Sequence, residues 1–260
     1  MKMPRMLSST IFAATVSLAS ISSAEADETI NIGIDAAYKP FAYVDANGEM
    51  AGFEVDLAKA VCAEIKAKCE LSNVPWDGIF TALETGTIDM IGTTVGKTAE
   101  RLEKYDASRT IYKVGYALLV PSNYDTAKGL DGLKGQSIGT IVGNASAYGW
   151  IKSVMGEDVD IRGYDTVDAG ILDLDAGRIA AFQGDNLQLG AQFISTGKYK
   201  LAAEPSYDPK YVGDRAWIFR KGSADVVQKI NAGLGAVIAA GKVDELGSKY
   251  FHAKLATDRR

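Results

Sequence analysis

Twice along this chain apolar strand patterns alternate with helical ones, and an extended apolar segment separates the two runs. That segment, Val114 to Val120, leads into Pro121 and a polar stretch ending near Gly135. Strands alternating with helices indicate an α/β unit built on a largely parallel sheet, and the restart indicates two of them. In the first run Ile30, Ile32 and Ile34 alternate with polar or small residues up to Asp35. Val55 to Lys68 then reads as a helix, Leu71 to Val74 as a strand, Trp76 to Leu83 as a short helix and Ile88 to Gly92 as a strand. Ala36 to Met50, with the turn signal Asn47-Gly48, reads as a loop. In the second run the strands are Ser137 to Ile141, Val159 to Tyr164 and Ala180 to Phe182, with helices at Ala145 to Met155 and Val167 to Ala176. Tyr199 to Leu201 follows, and the apolar-aromatic Asp214 to Arg220 carries the chain back to the first unit, where helices Ala224 to Ala240 and Val243 to Tyr250 pack. The expected organisation is two lobes joined by a two-strand hinge, each a mixed, mostly parallel sheet flanked by helices. Residues 27–115 with 216–260 form one lobe, and 116–215 the other.

The N-terminus reads as an export signal. Lys2 and Arg5 precede an apolar run from Met6 to Ile21, and Ala24 and Ala26 supply the small residues a signal peptidase accepts. The run is shorter than the roughly 20 residues of a spanning helix. Cleavage is expected after Ala26, so residues 1–26 are signal peptide. Removing them moves the formal charge from −5 to −6, which argues against nucleic acid as a partner.

Export exposes the two cysteines, Cys62 and Cys69, to conditions in which disulfides persist. A straight helix through both would separate their Cα atoms by about 10.5 Å, too far for a bridge spanning about 5.5 Å. A disulfide therefore requires the helix to stop before Cys69, and Glu70 to Val74 reads as extended.

The chain offers little for catalysis. His252 is the sole histidine, no Cys/His/carboxylate spacing matches a metal site, and there is neither a phosphate-binding glycine loop nor a nucleophile elbow. No cofactor is expected. Recognition chemistry is better represented near predicted strand ends, where open α/β sheets bind ligands. Asp35, Thr93, Thr94, Asn144 and Asp185 sit just after predicted strands, and the loops add Tyr38, Trp76, Thr98 and Arg101. A guanidinium can hold a carboxylate bidentately, a carboxylate can accept from an ammonium, and aromatic faces can clasp an aliphatic stem. These suit a small zwitterion.

Several separated motifs carry a family resemblance: Ile32-Gly-Ile-Asp35-Ala-Ala-Tyr38-Lys-Pro40-Phe41, Gly52-Phe53-Glu54-Val55-Asp56, Trp76-Asp77-Gly78-Ile79, and Asp89 to Arg101. Together they make the chain resemble the polar amino-acid-binding proteins of ABC importers, the family 3 type of periplasmic solute-binding protein. Cys62 and Cys69 are placed like the disulfide of members that bind basic amino acids and the opines nopaline and octopine. The resemblance implies the type II two-lobed fold, a periplasmic location, a monomer, and delivery of ligand to a membrane permease. It implies that Arg101, with main-chain N–H groups near Gly96 and Ala145, holds the ligand carboxylate, and that Asp185 receives the amine. Tyr38 and Trp76 would clasp the stem, and Asp35 would read its distal end.

Two departures stand out. Gly96 stands where the family usually has a Ser whose hydroxyl helps hold the α-ammonium, and Lys97 where an apolar residue is usual; the missing hydroxyl would leave room near the nitrogen for an N-substituted amino acid such as an opine. Asn144 and Ser146 differ from the usual Ser/Thr pattern around residues 143–146. Arg215 and Trp217 on the return strand are also unusual and either reach the cleft or pack at the hinge. The function expected is binding rather than catalysis. The alternatives are an exported enzyme resembling the cyclohexadienyl dehydratases, with Glu54 or Glu100 as acid, and a ligand-presenting partner of a chemoreceptor.

Overall fold

A computed structural model describes Met1 and residues 29–255. The signal-peptide reading and its cleavage point lie, apart from Met1, outside the described residues.

The chain begins with β1 (Ile30–Ile34) and then makes a small antiparallel meander, β2 (Ala37–Tyr38), β3 (Ala42–Val44) and β4 (Met50–Ala51), where the sequence reads as loop. The meander contains a cis Lys39-Pro40 bond. There follow α1 (Phe53–Glu64), β5 (Cys69–Asn73), α2 (Trp76–Glu84), β6 (Met90–Gly96), α3 (Ala99–Lys104) and β7 (Tyr105–Ala107). The second run comprises β8 (Tyr116–Pro121), β9 (Ile138–Ile141), α4 (Ala145–Met155), β10 (Ile161–Tyr164), α5 (Val167–Asp175), β11 (Ala181–Asp185), α6 (Asn186–Gln192) and β12 (Tyr199–Leu201). The chain closes with β13 (Arg215–Arg220), α7 (Ala224–Ala239) and α8 (Lys242–Phe251).

Two five-stranded sheets result. The first has the order β5-β1-β6-β13-β7, with β1 parallel to β5 and β6, and β13 antiparallel to β6 and β7. The second has the order β10-β9-β11-β8-β12, again with a parallel half and an antiparallel half. The chain crosses between the sheets twice, and the crossings pair with each other. Arg215 and Tyr112 form one antiparallel bridge, and Tyr116 and Ser206 another. The crossings thus form the two-strand hinge of a two-lobed α/β protein.

α1 packs its apolar face, Phe53, Val55, Leu57, Ala58 and Val61, into the first lobe. Phe53 meets Tyr112 at 5.2 Å between ring centroids and Phe251 at 5.3 Å, and Phe41 lies 4.6 Å from Phe251, so the rings tie the meander, the hinge and α8 together. Glu54 is buried in this core, where it accepts from the Tyr112 hydroxyl at 2.5 Å and from Trp217 Nε1 at 3.5 Å. Trp217 therefore packs in the core and does not reach the cleft.

Helix α1 stops at Glu64, and Lys66 takes a positive φ of 53°. That turn brings the Cα atoms of Cys62 and Cys69 to 6.2 Å, and the two sulfurs are bonded. The closed loop is short, so chain entropy assigns the bridge about 2 kcal/mol. Replacing both cysteines with alanine is expected to lower Tm by roughly 4–8 °C in thermal unfolding. An unchanged Tm would show that the bridge adds nothing.

Candidate ligand-binding cleft

Where strand ends of the two sheets face each other, a cleft opens. The first sheet supplies Asp35, one residue beyond β1, Thr93 within β6, and Arg215 at the start of β13. The second supplies Tyr116 at the start of β8, Ile141 at the end of β9, and Gln183 to Asp185 at the end of β11. Helices α2 and α3 contribute Trp76 and Arg101.

Arg101 is fixed by local sequence. Thr98 caps α3 by accepting the Arg101 N–H at 3.4 Å, and Arg101 Nη1 donates to the Gly96 carbonyl at 3.0 Å. Trp76 and Phe80, one turn apart on α2, lie with their ring centroids 5.8 and 5.7 Å from the guanidinium carbon. The fork is thus oriented before any ligand arrives, which suits it to bidentate carboxylate recognition. Burial, and among the neighbours the like charge of Arg215, pull the Arg101 pKa down. Both effects favour an anion beside it.

Asp185 ends β11, and Arg215 Nη2 donates to its Oδ1 at 2.6 Å. Each side chain of the ion pair is only 5% exposed. Burial pushes the Asp185 pKa up, and Arg215 and Tyr38 pull against it. Burial alone would depress Arg215, but Asp185 and the nearby tyrosines hold it above the ordinary value. This pair joins the first residue of β13 to the last of β11, thereby linking the two sheets. Its members are 30 residues apart in sequence, and only the fold brings them together.

Asp35 closes a local turn by accepting the Ala37 N–H at 3.0 Å. Burial raises its pKa and the charge of Asp77 adds to the rise. Asn144 caps α4 by accepting the Ala147 N–H at 3.3 Å.

Of the residues singled out from sequence, Asp35, Tyr38, Trp76, Thr93, Arg101, Asn144 and Asp185 line the cleft, and Thr94 follows Thr93 in β6. Gly96, Ala145 and Ser146 are not among its lining. Gly96 corrects the expectation of free space: a Cβ there would meet the Val212 carbonyl oxygen at 1.8 Å and Arg215 Nη1 at 3.2 Å. The room expected beside the ligand nitrogen is filled by the return crossing. Glu54 lies in the core, and Glu100 is exposed on α3 beside Lys104, so neither candidate acid faces the cleft. Arg215, left open between cleft and hinge, lines the cleft. Tyr116, Ile141, Val167, Phe182, Gln183 and Gly184 also line it and were not singled out. Gln183 and Gly184 immediately precede Asp185, and the strand-end rule applied one step further would have included them. Among the described residues no group of His, Cys, Asp and Glu is placed to hold a metal ion, and no helix is long and apolar enough to cross a membrane.

Residues 30–253 match the sequence profile of the bacterial extracellular solute-binding proteins, family 3. The L-arginine-binding protein of Pseudomonas aeruginosa is 30% identical over 243 residues, covering 92% of this chain and 94% of that protein. The lysine/arginine/ornithine-binding periplasmic protein of Escherichia coli K12 is 29% identical over 247 residues, covering 94% and 95% respectively. Among solved structures, an ancestral amino acid-binding protein described as a precursor of cyclohexadienyl dehydratase superposes with a TM-score of 0.76. It is 28% identical and covers 86% of this chain and 95% of that one.

Proposed function

The chain belongs to the bacterial extracellular solute-binding proteins, family 3, and from that premise we propose that it is the periplasmic component of an ABC importer. It captures an amino acid or an amino-acid derivative, opine-type conjugates included, and delivers it as a monomer to a membrane permease. The observation that carries this reading is the guanidinium of Arg101, held by Gly96 and flanked by Trp76 and Phe80, in a cleft closed on the other side by Asp185. Arg101 takes the ligand carboxylate. Asp185, whose oxygens offer about four acceptor sites, keeps capacity for an amine beyond its bond to Arg215. Tyr38 and Trp76 clasp the stem, and Asp35 meets its distal end. Because these groups come from both lobes, a ligand that engages all of them favours the closed arrangement.

A thermal-shift screen of the mature protein against amino acids and their N-substituted derivatives tests the reading. A ligand at 100 times its Kd stabilises by about 2.7 kcal/mol, a rise of roughly 5–10 °C. No shift with any member of either class would overturn it.

Asp35 makes a pH prediction. A cationic ligand tail binds the ionised carboxylate, so protons compete with it and affinity is lost as pH falls through the raised pKa of the free protein. As pH falls from neutrality towards the ordinary carboxylate range, a ligand with a cationic tail is expected to lose more affinity than a neutral-tailed one with the same head. Equal losses in calorimetry would remove Asp35 from tail recognition.

The likeness to a dehydratase precursor supports a second reading, catalysis in the same cleft. The carboxyls that face it are Asp35 and Asp185, both engaged in hydrogen bonds. Incubation with prephenate or arogenate is expected to yield no product; turnover would reverse the assignment.

A further inference from the structure

On the side of the second sheet the cleft is lined by the apolar side chains of Ile141, Val167 and Phe182, and among them stands Gln183, only 3% exposed. Side chains alternate between faces along β11, so Gln183 shares a face with Asp185 and lies roughly 6.6 Å further from the strand end. The parallel pairing of β11 with β9 sets Gln183 beside Thr140, and the fully buried Thr140 hydroxyl donates to Gln183 Oε1 at 2.6 Å. An amide has one accepting end and one donating end. Because Thr140 engages the oxygen, the amide is turned with its NH2 group away from Thr140, and Nε2 makes no hydrogen bond among the described residues. The cleft thus holds an oriented donor whose two N–H groups are unused. A buried donor left without an acceptor is costly, and a site built to satisfy one rejects ligands that cannot.

We infer that Gln183 is a specificity-determining residue that donates to an uncharged oxygen acceptor on the side chain of the ligand, and that Thr140 is the positioning residue that fixes its direction. The separation of Gln183 from Asp185 along β11 places this acceptor on the side chain and not at the amine. A ureido or amide carbonyl, a sulfoxide or a hydroxyl would serve. An ammonium or guanidinium offers no acceptor, so a purely cationic side chain satisfies Asp35 and leaves Gln183 unpaired. A ureido or amide group can donate to Asp35 and accept from Gln183. This inference rests on the proposed reading of the cleft as an amino-acid site, and it narrows the side chain that the site takes, independently of any substituent on the α-nitrogen.

The test is calorimetry on pairs of nearly equal shape: L-citrulline with L-arginine, L-homoserine with L-norvaline, and L-methionine sulfoxide with L-methionine. In each pair only the first member carries an oxygen acceptor on its side chain. The wild-type protein is expected to bind the first member of at least one pair tenfold or more tighter than the second. Gln183→Met keeps the length of the side chain and removes the donor, and there the ratio is expected to fall towards one. In Thr140→Val the amide keeps its donors and loses its orientation, so the ratio is expected to drop severalfold without vanishing. A merely structural role for the two residues would move Tm and both affinities together and leave the ratio intact. Equal binding within every pair by the wild type, or an undiminished ratio in Gln183→Met, overturns the role of Gln183 and leaves the cleft an amino-acid site. If Gln183→Met fails to fold, an undiminished ratio in Thr140→Val overturns it instead. Failure of all six compounds to bind the wild type overturns both readings.

Discussion

Arg101→Ala is expected to weaken ligand binding by at least two orders of magnitude while the ligand-free protein unfolds within a few degrees of wild type. Truncating one partner of a desolvated charge pair costs about 2–5 kcal/mol, which corresponds to roughly 30-fold to several thousand-fold in Kd. The upper part of that range applies because the fork is already oriented by Gly96, Trp76 and Phe80 and loses little freedom when it closes on a carboxylate. Stability is spared for a separate reason. Arg101 gives the fold one side-chain hydrogen bond and two ring contacts, and its removal relieves the like charge of Arg215. Calorimetry and thermal unfolding on one preparation separate the two effects. Binding that survives the substitution would move the carboxylate site elsewhere, and Arg215 is the next cation in the cleft.

The architecture was legible where a single strand or helix announces itself. Apolar alternation placed β1, and β9 and α4 followed from the same local signals. The ends of β1, β9 and β11 then pointed to Asp35, Asn144 and Asp185. The meander of β2 to β4 was not legible, because strands of two or three residues are too short to show a period. Nor was the partner of Asp185. Arg215 stood out on the return strand, but its ion pair depends on how β13 of one sheet meets β11 of the other, and no local pattern encodes that. Trp217, two residues further on, looked equivalent to Arg215. The register of β13 against β6 shifts between Ala216 and Ile218, and Trp217 turns out to lie in the core against Glu54. Residue type gave the candidates here, and the third dimension decided between them.

Gly96 shows the same limit, and it yields the second large effect. As a sequence departure, a glycine in place of serine reads as vacated space. In the structure that space is occupied, because the return crossing lies directly against β6. Lys97 N–H donates to the Asp214 carbonyl at 2.8 Å, Arg215 pairs with Gly96 in the strand register, and the Val212 oxygen fills the position a Cβ would take. The neighbour at 1.8 Å is a main-chain carbonyl, which cannot swing aside as a side chain would. Gly96→Ala is therefore expected to force the crossing away from β6 at a cost of about 3 kcal/mol, lowering Tm by roughly 6–12 °C. Gly96→Ser should do the same and should not restore an amine-binding hydroxyl, since the displaced segment includes Arg215, the partner of Asp185. A serine variant with wild-type Tm and tighter binding of unsubstituted amino acids would show that the crossing yields easily. The glycine would then mark a lost contact, whereas a large fall in Tm in both variants shows that Gly96 and Arg215 share one packing solution.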